Sequence, residues 1–116
     1  MLEAQTARLG PNHPDTLHTK GDLAVVMKKQ GDLPEARALY EAVLEAQTAR
    51  LGPNHPDTLL TKGNLTEAMA IATEQNGELA EAAGLYSAAA DLWGPIAGET
   101  HELVVECRAK ARELGV

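Results

Sequence analysis

The feature that most constrains this chain is an internal duplication. Residues 2–20 and 44–62 are identical except at one position, where His18 in the first copy corresponds to Leu60 in the second. The same stretch therefore returns after 42 residues. Self-similarity at a period of this length is the signature of repeat architectures, in which stacked units bury one continuous core.

Two weaker similarities extend the duplication along the chain. Residues 30–40 are similar to residues 76–86, an offset of 46. Residues 51–58 are similar to residues 93–100, with fewer identical positions, and the offset is again 42. The offsets are consistent if one helix gained four residues and the next lost four, which is close to one helical turn in each case. We therefore predict a longer first helix and a shorter second helix in the second unit, with the insertion within 63–76 and the deletion within 86–93.

Residues typical of helix starts and helix ends indicate two helices in each unit. Histidine or asparagine next to Pro14 can cap a helix, while Gly31 and Gly77 stand where a helix should end because glycine readily adopts the left-handed conformation. Asp32 and Glu35 resemble a capping box that opens the next helix. The predicted layout is a half helix at 2–9, then helices near 14–30, 33–51, 56–76, 79–93 and 99–114, with repeat one at about 14–51 and repeat two at about 56–93. No segment is predicted to be a strand.

Composition supports the same class and excludes others. The chain has no Phe and 3% aromatic residues, and Ala and Leu supply most of its apolar content, which suits helices packed on helices and suits a β-sandwich poorly.

The net charge of −7 and the lack of a basic face argue against nucleic-acid binding. No apolar run approaches the ~20 residues that span a bilayer. Cys107 is the single cysteine, so we expect no internal disulfide and an intracellular, cytoplasmic location, with an organelle as the alternative.

Few residues suggest chemistry. His13, Asp15 and His18 could converge on a metal ion, but capping explains the first two, and the duplicate has Leu60 in the third place, so we predict no metal and no cofactor. Cys107 aligns with core leucines and is predicted to be a buried thiol.

Two glycines inside predicted helices leave two explanations open. Gly21 and Gly63 each cost about 1 kcal/mol relative to alanine in a helix. Either duplication copied a tolerated residue, or a neighbouring helix or bound backbone approaches closely at these positions.

Together these residues resemble a known family. The segment LGPNHPDTL, followed by Leu-Ala, Gln-Gly, Glu-Ala and Leu-Tyr at helical spacing, is similar to the 42-residue tetratricopeptide repeats of kinesin light chains. The resemblance covers nearly the whole chain and implies one all-α domain over 1–116, a right-handed α-solenoid of antiparallel helix pairs. It further implies that the first helix of each pair lines a concave groove that accepts a peptide or a partner helix.

The resemblance assigns the groove residue by residue. Those from the first pair are His18, Asp22, Val25 and Lys29; those from the second are Leu60, Asn64, Glu67 and Ile71; those from the last helix are Glu102, Glu106 and Ala109.

The predicted function is therefore a non-catalytic protein-interaction scaffold. The alternative is a structural or linker subunit buried within a larger assembly, and an enzyme or its regulatory appendage is a third reading without a nucleophile–base pair to support it. Because residues 2–9 match only the second half of a helix, we also expect self-association or a place in a larger assembly.

Overall fold

The fold is a consecutive stack of α-helices. The computed structural model describes residues 13–115, so the predicted half helix at 2–9 lies outside the described residues. The helices of this part are α1 (Pro14–Lys29), α2 (Leu33–Leu51), α3 (Pro56–Gln75), α4 (Leu79–Ala97) and α5 (Glu102–Leu114). Each packs against the next along the chain, and residues 13–115 contain no strand. The all-α, tetratricopeptide-like class predicted from the sequence is confirmed.

Histidine caps the first helix of each unit. The Nδ1 atoms of His13 and His55 accept hydrogen bonds from the backbone N–H of Asp15 and Asp57, each at 3.1 Å. His101 caps α5 in the same way, at 3.2 Å from the backbone nitrogen of Leu103. These bonds satisfy donors that the first helical turn leaves unpaired.

The turns within each hairpin follow one pattern. Gly31 and Gly77 have φ of +90° and +82°, so the predicted left-handed helix ends are confirmed. The predicted capping box at Asp32 is wrong, because the Asp32 side chain makes no capping hydrogen bond at the start of α2.

The predicted insertion is confirmed by helix length. Helix α3 has 20 residues where α1 has 16, a difference of one helical turn. The extra turn lies within a continuous helix, so α3 is about as long as the 19-residue α4, whereas α1 is three residues shorter than the 19-residue α2.

The predicted deletion is wrong. Helix α4 has 19 residues, as many as α2, and runs through Pro95 to Ala97 instead of ending at 93. The helix ends at Gly98, which has φ of +94° like Gly52, whereas Gly94 is helical. In consequence α5 begins at Glu102 rather than 99, and the helix boundaries from the end of α1 to the start of α3 repeat after 46 residues, from the end of α3 to the start of α5.

The core consists of two clusters of small and aromatic side chains. One is centred on Ala36 and Tyr40 between α1, α2 and α3, and the other on Tyr86 and Trp93 between α3, α4 and α5. Cys107 belongs to the second cluster and is 2% exposed, which confirms its predicted burial. Alanine at many of these positions lets the helices approach closely, as the composition suggested.

Candidate binding surface

Two depressions open along one face of α3. The first depression, of about 400 Å³, lies between α1, α2 and α3 and is lined in part by His18, Asp22, Val25, Leu60 and Asn64. The second depression, of about 360 Å³, lies between α3, α4 and α5. Leu60 and Asn64 face the first, and Glu67 and Ile71 the second, at the spacing that places side chains on one side of a helix.

The second depression is the counterpart of the first in the next hairpin. Because the turns and helix ends repeat after 46 residues, positions that far apart occupy equivalent places. Five lining positions correspond in this way: Gly21 with Glu67, Val25 with Ile71, Leu60 with Glu106, Thr61 with Cys107, and Asn64 with Lys110. The shape is therefore repeated while the chemistry differs.

The sequence-predicted groove residues divide between the two depressions. His18, Asp22, Val25, Leu60 and Asn64 line the first, and Glu67, Ile71, Glu106 and Ala109 line the second. The two remaining residues, Lys29 and Glu102, are exposed at the ends of α1 and α5 and line neither. Glu102 lies outside because the 42-residue offset used to place it does not apply to α5, where the structural offset is 46.

Sequence reasoning missed the residues that α2 and α4 contribute. Val43, Gln47, Arg50 and Leu51 line the first depression, and the ring of Tyr86 lines the second. The family pattern assigned the groove to the first helix of each pair alone. The helical spacing of Val43, Gln47 and Arg50 places them on one face of α2, which is the signal that would have found them.

Glu67 is a structural residue as well as a lining one. Its carboxylate accepts a hydrogen bond from Lys28 of α1 in an ion pair whose side chains are 11% and 13% exposed, respectively. Its other oxygen lies 3.9 Å from the thiol of Cys107 on α5. One buried carboxylate therefore ties α1, α3 and α5 together, and it is less available to a ligand than the sequence predicted.

A second carboxylate on α3 joins the next two helices. Glu74 accepts hydrogen bonds from the hydroxyl of Tyr86 at 2.7 Å and from Nζ of Lys110 at 2.9 Å. The Tyr86 bond, followed by the Lys110 bond, holds the pKa of Glu74 below its ordinary value. The same bond to Glu74 raises the pKa of Lys110, so both groups are charged near neutral pH.

Burial also determines the state of the thiol. Desolvation, with the nearby Glu67 carboxylate adding to it, raises the pKa of Cys107 to about 12. A thiol in this environment stays protonated and is a poor nucleophile. Cys107 is therefore a packing residue at the floor of the second depression.

The His13, Asp15 and His18 motif, which resembles a set of metal ligands, is explained by helix capping and by a pairing between side chains. His13 uses Nδ1 to cap α1, while His18 pairs with Asp22 across one turn at 3.4 Å, with both side chains largely exposed. Among residues 13–115 no group of three or more His, Cys, Asp or Glu side chains is arranged to hold a metal ion. Within the same residues no helix is both long and apolar enough to cross a membrane.

The comparison with protein families agrees with this geometry. Residues 16–57, which run from the first turn of α1 through α2 to the start of α3, match the model of the tetratricopeptide repeat. The match covers 42 of the 116 residues, the length of one repeat. The kinesin light chain type within that family stays a prediction, and a comparison with curated proteins gave no match.

The matched family has a general function. Repeats of this kind are interaction modules whose stacked helices present extended surfaces to other proteins. The pair of depressions along α3 is the part of residues 13–115 where the predicted binding residues collect.

Proposed function

We propose that this chain is a non-catalytic scaffold that holds a peptide or a helix of a partner protein along the face formed by α1, α3 and α5. The observation that carries the proposal is that both depressions lie on one side of α3, one after the other along the helix; the two together are called the track below. A right-handed superhelix would make this face the concave one, as in the family the chain resembles.

The first depression supplies the less charged end of the track. Leu60 is 36% exposed there, beside Val25 and the partly exposed Asn64. The amide oxygen of Gln47 is buried and has no hydrogen-bond partner among the described residues, so a ligand that donates a hydrogen bond would remove a desolvation cost. An apolar side chain flanked by peptide N–H groups fits these features.

The proposal is tested with a matched pair of leucines. A peptide selected from a random displayed library against the chain is titrated against Leu60→Asp and Leu79→Asp. Both leucines are exposed, at 36% and 47%, but Leu79 opens α4 and lines neither depression. We expect Leu60→Asp to weaken binding by about tenfold or more, because a charge at the centre of a contact opposes desolvation, and Leu79→Asp to change it little.

Equal losses in the two variants, or binding unchanged by Leu60→Asp, would contradict the proposal. Circular dichroism of both variants checks that each keeps its helical content. Asn64→Ala provides a milder second change in the same depression, since it removes polar contacts without adding charge.

A second candidate function is a structural subunit of a larger assembly. Leu103 and Val105 of α5, the last described helix, are 38% and 49% exposed. A partner that covers α5 would bury them. Loss of association in Val105→Asp with retained peptide binding would favour this role over groove recognition.

A further inference from the structure

The second depression has an apolar floor. Ile71 of α3, Ala109 of α5, the protonated thiol of Cys107 and the ring of Tyr86 line it. The depression has a volume of about 360 Å³, which is ample for an aliphatic side chain. It lacks the amide and imidazole groups that line the first depression.

The mouth of this depression is negatively charged. Glu106 and Glu113 lie on one face of α5, both are exposed, and neither has an ion-pair partner within 4.0 Å among residues 13–115. The remaining charges at the site are already matched, because Glu67 pairs with Lys28 and Lys110 pairs with Glu74. The unmatched charge facing a ligand is therefore that of two carboxylates.

We propose that the second depression binds a lysine or arginine side chain of a partner protein. Such a side chain lays its methylene stem along apolar surface while its cationic head stays near water, which is the combination that this floor and this mouth offer. Charge complementarity rejects an acidic side chain at the same place. The inference rests on the proposed scaffold function and adds the chemistry of one anchoring residue.

The first depression provides the internal contrast. Leu60 stands there in the place of Glu106, and Val25 in the place of Ile71, so the apolar wall is kept and the carboxylate at the Glu106 position is replaced by an apolar side chain. Asp22 and Asp57 line the first depression at other positions, together with Arg50. A partner that crosses both depressions therefore presents an apolar side chain to the first and a basic side chain to the second. This asymmetry fixes the direction in which the partner lies along α3.

The test uses three blocked peptides that differ at one central position. One carries lysine, one carries norleucine, which keeps the stem and removes the charge, and one carries glutamate. Each is titrated into the full chain at low ionic strength while the backbone amides of Ile71 and Ala109 are followed by NMR. We expect the lysine peptide to bind about three- to tenfold more tightly than the norleucine peptide and the glutamate peptide to bind least, with the shifts centred on the second depression.

Isosteric variants locate the charge effect. Glu106→Gln and Glu113→Gln should each weaken lysine-peptide binding by about two- to fivefold, because each removes one exposed ion pair. Glu102→Gln is the matched control, since Glu102 is exposed on the same helix, changes net charge equally and lines neither depression. It should leave the affinity unchanged at the same ionic strength.

Three results would overturn the inference. They are norleucine binding as tightly as lysine, Glu102→Gln weakening binding as much as the other two variants, or chemical shifts confined to the first depression. In each case the scaffold function is judged separately by the Leu60→Asp and Leu79→Asp pair, whose outcome does not depend on a cation. All three glutamates are exposed, so their substitution leaves the fold intact, and circular dichroism verifies it.

Discussion

The α1–α2 and α3–α4 hairpins place the same sequence in different surroundings. Gly21 and Gly63 lie within the duplicated stretch and its immediate continuation, yet no described atom lies within 4 Å of a Cβ built on Gly21, whereas the indole of Trp93 contacts Gly63, with Cδ1 2.7 Å from such a Cβ. The place equivalent to Trp93, 46 residues earlier, holds Gln47, and α3 also contains an extra turn. This turn shifts the N-terminal half of α3 by four residues relative to α4, so that Gly63 takes the place that Leu17 has in the first hairpin.

The comparison decides between the two explanations of the paired glycines. Close approach of a neighbouring helix holds at Gly63, where Trp93 also donates a hydrogen bond to the carbonyl of Leu60 at 3.3 Å. At Gly21 the described residues show no such approach, so duplication of a tolerated residue suffices there. The register against the partner helix and the residue that this helix presents together determine what each glycine meets.

The polar contacts also differ between the hairpins, because equivalent positions carry different residues. Tyr40 and Tyr86 are equivalent and both are buried, but the hydroxyl of Tyr86 donates to Glu74 whereas that of Tyr40 has no partner among residues 13–115. The position equivalent to Glu74 is Lys28, which pairs with Glu67 instead. Burial, with the charge of Glu67, raises the pKa of Tyr40 to about 12.

The largest effect is expected from breaking the ion pair that ties α1 to α3. Lys28→Met leaves Glu67 as a buried, unpaired carboxylate and should lower the free energy of unfolding by about 3 kcal/mol. Urea denaturation followed by circular dichroism measures it. Lys29→Met, one position along and exposed, should change stability by less than about 0.5 kcal/mol. Similar values for the two variants would show that the pair does not hold the hairpins together.

The glycines provide the next test, because alanine at the two positions is expected to change the stability of the fold in opposite directions. Gly63→Ala should destabilise the chain by about 1–2 kcal/mol, because the clash with Trp93 exceeds the gain in helix propensity. Gly21→Ala meets no described atom and should stabilise it by about 0.5–1 kcal/mol. Thermal unfolding of both variants measures whether each substitution raises or lowers stability. Stabilisation by Gly63→Ala, with binding unaffected, would refute close approach at this position.

The tyrosines give a smaller difference. Tyr86→Phe removes a hydrogen bond to a carboxylate and should cost about 1–2 kcal/mol. Tyr40→Phe removes a buried hydroxyl that has no described partner and should be neutral or slightly stabilising. Chemical denaturation distinguishes them, and an equal loss in both variants would mean that the Glu74 bond contributes nothing measurable.

The smallest effect is a pH dependence at Glu74. Its pKa in the folded chain is lowered, so its contribution to stability is present above the unfolded-state pKa and is lost as the pH falls through the folded-state pKa. Tyr86→Phe removes the largest cause of the lowering and should move the Glu74 pKa upward, so that the loss begins at higher pH. Carboxyl ¹³C titration by NMR measures the shift. An unchanged pKa in Tyr86→Phe would assign the lowering to Lys110 alone.

The sequence by itself determined the class and most helix ends. The duplication, the histidine before proline and the left-handed Gly31 and Gly77 are local signals, and they predicted five helices in the right order and the longer α3. Helix ends depend on neighbouring residues through capping and backbone conformation, which is why short-range patterns suffice for them. Burial of Cys107 was predicted correctly, but from a 42-residue alignment with leucines that does not hold in α5, where its structural equivalent is the buried Thr61.

Tertiary structure alone decided the register of the last helices and the chemistry of the track. Trp93-Gly94-Pro95 resembles Leu51-Gly52-Pro53, but α4 continues through it because Gly94 packs in helical form beside Glu99 and the chain reverses at Gly98. That difference of four residues moved Glu102 out of the candidate site and brought Lys110 and Glu113 into it. The pairing of Glu67 with Lys28 joins residues far apart in the chain, and such a contact is set by how helices pack rather than by any local pattern.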